Sequence, residues 1–243
     1  MTVNEDHTLL HYGITGDGPL VILLHGLLMD GNSWVSNGLV DALRNDFTVV
    51  YPDLLAHGKS ANFINAAYDR QSQADGIWKL IDGLGVKKAH VVGYSSGAWL
   101  AISLAKYHPE CLSSLVIGGW DVQNGLPKVP DGRLDFDTFF AFAEETAPAL
   151  AAWVSAENKP PLRASFEALA GYEGLEDAPL IGNIDIPKLF WAGAEDIYYQ
   201  PLKDWSENNH QVFLTTQGDH VSAIEELTPE TIARIHHFLK EAL

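Results

Sequence analysis

A serine held between two glycines offers a nucleophile in the stretch Gly93-Tyr94-Ser95-Ser96-Gly97. An apolar run typical of a buried strand leads into this stretch, and a helical run over residues 98–107 follows it. So tight a strand-to-helix turn presents the serine hydroxyl away from the backbone and leaves no room for side chains two residues either side. The N–H groups at the start of the helix suit a developing negative charge. The spacing therefore indicates a nucleophilic Ser95, with an inactive tight turn as the alternative.

A neutral serine is a poor nucleophile, so it needs a base, and the base needs a carboxylate that orients it. With a serine on this kind of turn, the chain order is serine, acid, histidine. Among the late histidines, His236 and His237 lie within the last predicted helix, and His210 opens the last predicted strand. Only His220 follows a strand end in a glycine loop. We therefore predict that His220 is the base.

Two aspartates compete for the role of the acid. Asp196 follows the predicted strand over residues 188–191 and has the expected place in the chain order, so we predict that it orients the base. Asp121 also ends a strand and is the better rival. Glu195 and Asp219 are expected to be solvated loop charges.

Acyl transfer also needs hydrogen-bond donors for an oxyanion. The backbone N–H groups of Leu27, which comes after a buried strand, and of Ser96, which follows the nucleophile, are predicted to supply them. His25 is expected to be structural. Asp53 and His57 are expected to brace the site, and no chemistry is assigned to them.

The elements that must position these residues alternate between strand and helix, which favours an α/β fold with a doubly wound, mostly parallel sheet. The candidate residues follow strand ends, where open sheets of this kind place their sites. Helices are predicted over residues 33–43, 69–84 and 98–107, and after Thr228 as an N-cap. Strands are predicted over residues 8–14, 20–24, 47–51, 89–92, 113–117, 188–191 and 212–215.

One interval breaks this alternation. Between residues 121 and 187 no strand signal is found, and helical patches cover residues 138–154 and 161–170. About 65 residues are few for an independent domain. We therefore predict a core made of residues 1–120 and 188–243, with residues 121–187 forming a helical cap over the sheet.

Composition limits the classes of partner. The 243 residues are 47% apolar and carry 15 basic against 32 acidic side chains, a net charge of −17. This charge disfavours nucleic acids and anionic membranes as partners and leaves a small-molecule substrate. A single cysteine, Cys111, and no apolar run long enough for a membrane span predict a cytoplasmic protein. No His/Cys cluster has metal-ligand spacing, so neither a metal nor a cofactor is predicted.

Together these motifs resemble the α/β-hydrolase superfamily, in the branch with a helical cap between the sixth and seventh strands. A serine on the turn argues against the haloalkane dehalogenase and epoxide hydrolase branches, which are similar but use aspartate there. Ala56 departs from the pattern, since glycine is frequent at that position, and a different turn is possible. The segments that carry the resemblance are His25-Gly26 with Trp34, Asp53-x-x-x-His57-Gly58-x-Ser60, Gly93-Tyr94-Ser95-Ser96-Gly97, Gly193-x-x-Asp196 and Gly218-Asp219-His220.

The resemblance implies a serine hydrolase of the carboxylesterase type, with a Ser95-His220-Asp196 triad and an acyl-enzyme. Its expected substrate is a small, mainly apolar ester or thioester, because the cap is rich in apolar and aromatic side chains. The same triad also serves carbon–carbon bond hydrolysis of β-diketones, lactone opening and aminopeptidase action. Two alternative functions remain: a protein that senses a ligand and turns it over slowly, and a lyase that uses the histidine as a base without acylation.

Overall fold

The computed structural model describes residues 10–61, 66–129, 132–172 and 174–243. Within these ranges, seven strands form one sheet in the order β1-β3-β2-β4-β5-β8-β9, in which only the β1–β3 pair is antiparallel. The start of the predicted strand over residues 8–14 lies outside the described residues. The strands are β1 (Tyr12–Thr15), β2 (Leu20–Leu24), β3 (Thr48–Pro52), β4 (Ala89–Tyr94), β5 (Leu112–Gly118), β6 (Lys128–Val129), β7 (Gly132–Arg133), β8 (Lys188–Gly193) and β9 (Val212–Thr216).

Helices cover both faces of the sheet, so its central strands are buried on both sides and consist of nearly continuous apolar runs. Every residue of β2 and β4 is buried. The doubly wound α/β fold predicted from the alternation is thereby confirmed. The helices are α1 (Ser33–Ser36), α2 (Leu39–Leu43), α3 (Arg70–Gly83), α4 (Ser96–Tyr107), α5 (Phe136–Thr146), α6 (Pro148–Ala151), α7 (Lys159–Ala170), α8 (Gly174–Asn183), α9 (Tyr199–Asn208), α10 (Ser222–Glu225) and α11 (Pro229–Glu241).

The single helix predicted over residues 33–43 is wrong, because two short helices occupy it. Gly38 lies between them with φ 85°, a left-handed conformation that breaks the helical path. The neighbouring Asn37 accepts a hydrogen bond from the N–H of Leu39 and donates one to the carbonyl of Ile224. At the other end of the chain, the predicted cap at Thr228 is confirmed, since its side chain accepts from the N–H of Thr231.

In its described residues, the segment between β5 and β8 contains four helices and the small β6–β7 hairpin. The expectation of no strand there is wrong, although the hairpin pairs only two residues on each side. The predicted helix over residues 138–154 is interrupted where α6 begins at Pro148, since a proline fits the first turn of a helix but not its interior. Helix α8 was not predicted. It contains Pro179 and two glycines, which weaken any helical pattern in the sequence.

Side-chain contacts fix this segment to the sheet layer. Asp177 of α8, with a side chain 1% exposed, pairs with Arg70 of α3 at 2.6 Å. The indole N–H of Trp153 donates to the carbonyl of Leu28, in the loop after β2, at 2.8 Å. Apolar side chains from α5 and α7 also pack against Leu28 and Ala56. None of the helices in the described ranges is long and apolar enough to cross a membrane.

Candidate functional site

The backbone of Ser95 is strained at the junction of β4 and α4, with φ 55° and ψ −119°. A non-glycine residue in this region costs about 1–3 kcal/mol and is held there only by its surroundings. The flanking glycines allow the turn to close. A Cβ on Gly93 would lie 2.3 Å from the carbonyl oxygen of Gly97, and one on Gly97 would lie 2.1 Å from that of Leu24. The sequence argument for glycine at both positions therefore has a direct steric basis.

Three of the predicted site residues form one hydrogen-bonded chain. The Oγ of Ser95 lies 2.9 Å from Nε2 of His220, and Nδ1 of the same ring lies 2.9 Å from Oδ2 of Asp196. A carboxylate only accepts hydrogen bonds, so Nδ1 carries the proton and Nε2 is left to accept the serine hydroxyl. The imidazole is about one third exposed and the Asp196 side chain is fully buried. Strand ends of β4, β8 and β9 supply the three residues.

Asp121 does not take part in this chain. Its Oδ1 accepts hydrogen bonds from the backbone N–H groups of Gln123 and Asn124, at 2.9 and 3.0 Å, and its Oδ2 accepts from the Asn124 amide at 2.9 Å. The carboxylate is thus engaged by the loop that follows β5. Between the two candidate acids, the structure places Asp196 and not Asp121 against His220.

Two tyrosines that sequence reasoning did not single out enclose the His220–Asp196 pair. The hydroxyl of Tyr94 donates to the backbone carbonyl of His220 at 2.7 Å and lies 3.2 Å from Oδ2 of Asp196. The backbone N–H of Tyr198 donates to Oδ1 of Asp196 at 2.9 Å, and its ring lies 5.1 Å from the His220 ring. Burial raises the pKa of the Tyr94 hydroxyl well above its ordinary value, so this group stays a neutral donor. The sequence did offer a signal for Tyr94, since this residue stands directly before Ser95 in the motif.

The two predicted oxyanion donors lie on loops that meet at the serine. A Cβ on Gly26 would lie 3.4 Å from the Cβ of Ser95, so the loop carrying Leu27 runs directly beside Ser95. In the described part of the chain, the backbone N–H groups of Leu27 and Ser96 donate to no acceptor. Ser96 is also the first residue of α4, where N–H groups have no partner within the helix. Among the residues that the structure describes, both N–H groups are therefore left without an intramolecular acceptor beside Ser95.

Two buried histidines, His25 and His57, lie beneath these loops. Nδ1 of His25 lies 2.8 Å from the Gly26 carbonyl, and Nε2 accepts from the N–H of Leu54 at 3.0 Å, so this ring joins two loops. Nδ1 of His57 lies 2.9 Å from the Leu55 carbonyl. Burial lowers the pKa of His25 to about 4 and that of His57 to about 3. Both rings are therefore neutral around pH 7, and His25 has the structural contacts expected of it.

Asp53 organises the loop that follows β3. Its Oδ1 accepts from the N–H of Gly31 at 3.0 Å, and its Oδ2 accepts from the N–H of Lys59 at 2.9 Å. Ala56, which lies between Asp53 and Lys59 in the chain, has φ 69°, the left-handed conformation that glycine adopts without strain. The carboxylate of Asp53 thus braces this loop by accepting hydrogen bonds from its backbone, in agreement with the role expected for this residue.

The fold and the strained serine turn together define the class of protein. Residues 19–151, more than half of the chain, match the family model described as "alpha/beta hydrolase fold". The chain belongs to this family, as the sequence motifs indicated.

Similar proteins have more particular names. The chain is 34% identical to a protein named "Putative carbamate hydrolase RutD" from Caulobacter sp. (strain K31), over 64% of this chain and 55% of that protein, so the match spans about half of the relative. A protein of the same name from Stutzerimonas stutzeri (strain A1501) is 24% identical over 97% of both chains. In fold, the chain resembles the enol-lactonase from Burkholderia xenovorans LB400, with a TM-score of 0.76 and 20% identity over 95% of this chain and 96% of that one.

Proposed function

We propose that this protein is a serine hydrolase that cleaves a small carboxylic ester through an acyl-enzyme. The observation that carries the proposal is the unbroken chain of 2.9 Å contacts from Ser95 through His220 to Asp196. Membership of the alpha/beta hydrolase fold family supports it. In this proposal the three residues act as nucleophile, base and acid of a catalytic triad.

Acylation begins when Oγ of Ser95 attacks the ester carbonyl and its proton passes to Nε2 of His220. The carbonyl oxygen becomes an oxyanion, to which the N–H groups of Leu27 and Ser96 donate. The imidazolium is stabilised by the buried carboxylate of Asp196. When the intermediate collapses, the bond to the leaving oxygen breaks and His220 gives its proton to the departing alcohol. Ser95 then carries the acyl group.

Deacylation repeats these steps with water. Nε2 of His220 takes a proton from a water molecule, whose oxygen attacks the acyl carbon to form a second oxyanion. Collapse breaks the bond to Oγ of Ser95, which recovers its proton from His220, and the carboxylic acid leaves. Ser95 and His220 return to their starting states. The cycle therefore converts ester and water into carboxylic acid and alcohol.

The segment between β5 and β8 serves in this proposal as the cap over the site. Trp153 contacts the loop that holds Leu27 and Leu28, and phenylalanines of α5 and α7 pack against that loop. A cap of this composition favours a mainly apolar substrate. Phe142 of α5 is 63% exposed, so it does not contribute to this packing.

A carbamate is the second candidate substrate. It is favoured by the relatives named as carbamate hydrolases, one of which aligns with nearly the whole chain. Carbamates contain the same acyl carbon and leaving oxygen as esters, so the triad needs no new group to act on them.

The test combines labelling with turnover. A fluorophosphonate probe should label Ser95, and short p-nitrophenyl esters should be hydrolysed by the wild type but not by the Ser95→Ala variant. Labelling without turnover would favour the slow ligand sensor over the enzyme. Hydrolysis that persists in folded Ser95→Ala protein would exclude Ser95 as the nucleophile.

A further inference from the structure

A small cavity lies behind the loops that meet at Ser95. It is lined by both residues proposed to hold the oxyanion, and its volume of about 10 Å³ is room for one group of the size of a water molecule. Side chains from the β3 loop, from α3 and α4, and from α7 of the proposed cap enclose it. The lining residues with polar side chains are His57, Gln73, Ser96, Trp99 and Ser165.

Three of these side chains carry a buried polar atom without a hydrogen-bond partner among the described residues. These atoms are Nε2 of His57, Oγ of Ser96 and Nε1 of Trp99. The residues are 2%, 6% and 1% exposed, respectively. Leaving a buried donor or acceptor unpaired costs about 1–3 kcal/mol, so three around one cavity indicate a place for a polar ligand group.

The atoms differ in what they can bind. Nδ1 of His57 faces the carbonyl of Leu55, which only accepts, so Nδ1 carries the ring proton and Nε2 is a bare acceptor. The indole of Trp99 only donates, and the hydroxyl of Ser96 does both. The remaining polar pair is already engaged, because Gln73 contacts the carbonyl of Tyr68 and the hydroxyl of Ser165.

We propose that this cavity is an acyl subsite that selects substrates with a small, neutral hydrogen-bond donor on the acyl side, bound by His57, Ser96 and Trp99. The inference deepens the proposed function and rests on it. Nε2 of His57 can be paired only by a donor. A hydroxyl, which donates and accepts, pairs His57 together with Trp99 or Ser96, and the N–H of a carbamoyl group also pairs His57.

Two features exclude other acyl groups. A carboxylate would bring a negative charge into a cavity with no Lys or Arg in its lining and a histidine that burial keeps neutral. A plain alkyl group of the same size would fill the space but leave the three polar atoms unpaired. Sites built to bind a hydroxyl reject the analogue that lacks it far more strongly than apolar pockets reject an added methylene.

The experiment compares p-nitrophenyl esters that share a leaving group. Hydroxyacetate and propanoate differ by a hydroxyl in place of a methyl, and methoxyacetate keeps only an acceptor. The carbamate and the acetate form the corresponding pair for an N–H donor. Each kcat/KM ratio is divided by the ratio of the uncatalysed rates, so that intrinsic reactivity cancels. In one of the two pairs, we expect the corrected kcat/KM of wild-type protein to be about tenfold to a hundredfold higher for the ester that carries the hydrogen-bond donor. Methoxyacetate should behave like propanoate.

Two variants test the residues. His57→Phe removes the acceptor and should bring the ratio of the preferred pair to within about threefold of unity. Trp99→Phe removes the indole donor and should lower the hydroxyacetate ratio but leave the carbamate ratio unchanged, because an N–H group needs only the His57 acceptor. The matched control is Trp34→Phe, which removes an equally buried indole N–H, also unpaired within the described ranges, that lines the other face of the sheet. This control should keep the wild-type ratio. The ester pair for which wild-type protein shows a preference that His57→Phe removes tells whether the bound donor is a hydroxyl or an N–H.

A binding measurement separates this inference from the proposed function. Ser95→Ala protein should bind hydroxyacetamide or urea more tightly than propanamide or acetamide, respectively, when followed by ligand-observed NMR. This preference without turnover of any ester would support the subsite and contradict the hydrolase. Equal use of both members of each pair by active wild-type enzyme would overturn the subsite, as would a preference unchanged by both folded variants.

Discussion

The carboxylate of Asp196 lies 2.9 Å from Nδ1 of His220, whereas the carboxylate of Asp121 is turned into its own loop by three hydrogen bonds. Each aspartate follows the carboxyl end of a strand, and both strand ends lie at the same edge of the sheet, so the difference comes from loop geometry. The loop after β8 exposes Oδ2 to the histidine, while the loop after β5 wraps around its aspartate.

This contrast predicts unequal effects of removing the two acids. Asp196→Asn should lower kcat by about 10⁴, because the amide no longer fixes the imidazole tautomer or stabilises the imidazolium. Asp121→Asn, which changes a carboxylate outside the chain of contacts, should lower it roughly tenfold or less. Steady-state kinetics with one p-nitrophenyl ester measures both. A larger loss in Asp121→Asn would reverse the assignment of the acid.

The strain at Ser95 predicts a gain in stability when function is removed. Ser95→Gly should raise the free energy of unfolding by about 1 kcal/mol relative to Ser95→Ala, since glycine adopts φ 55° without the Cβ penalty. Neither variant should hydrolyse esters. Urea denaturation of the two proteins gives the comparison. Equal stability would show that the surroundings, rather than the Ser95 backbone, absorb the strain.

The glycines of the turn predict a severe steric effect. Gly97→Ala should prevent folding or lower stability by several kcal/mol, on the order of 3, because its Cβ would meet the Leu24 carbonyl at 2.1 Å. Gly76→Ala in α3 is the matched control, since its Cβ meets nothing within 4 Å. That change should stabilise the protein by about 1 kcal/mol through helix propensity. Thermal unfolding of both variants would test the pair, and a well-folded Gly97→Ala protein would contradict the steric account.

Burial of His25 and His57 predicts a loss of stability in mild acid. Their pKa values are lowered to about 4 and about 3 in the folded protein, against an ordinary value near 6.5 when unfolded. Below about pH 6.5 the unfolded chain therefore binds protons that the folded protein does not, and the free energy of unfolding falls by about 1.4 kcal/mol per pH unit for each histidine. This stability is fully present above that pH. Carboxylates with lowered pKa values add to this loss only below about pH 5.

Urea titrations between about pH 7 and pH 4.5 measure this slope. Burial also lowers the pKa of His90, so this ring adds to the slope as well. In His57→Phe protein only the His57 contribution disappears, so the slope should fall by about 1.4 kcal/mol per pH unit. A slope unchanged by the substitution would mean that His57 is not the source.

The contact between Trp153 and the Leu28 carbonyl predicts that the proposed cap influences the loop proposed to hold the oxyanion. Trp153→Phe removes the 2.8 Å hydrogen bond and should raise KM and broaden the range of accepted esters, with an effect of about tenfold or less. Trp34→Phe serves again as the control. An identical substrate profile in Trp153→Phe protein would argue against a cap that shapes the site.

The sequence by itself determined the turn at Ser95 and the positions of the sheet strands along the chain. Ser95 and its glycines are a local steric solution, so their pattern is visible in five residues, and continuous apolar runs follow from strands buried on both faces. The C-terminal helix was equally local, since Thr228 caps it through a residue three positions along. The family resemblance rests on the same short segments.

Only the tertiary structure decided what depends on contacts between distant segments. The choice of Asp196 over Asp121 depends on which loop points its carboxylate at His220, and both loops have similar sequences. Helix α8 contains a proline and two glycines, and the pairing of its Asp177 with Arg70 joins residues far apart in the chain. The unpaired atoms of His57 and Trp99 carry no pattern at all, because a polar group is left without a partner only by the packing around it.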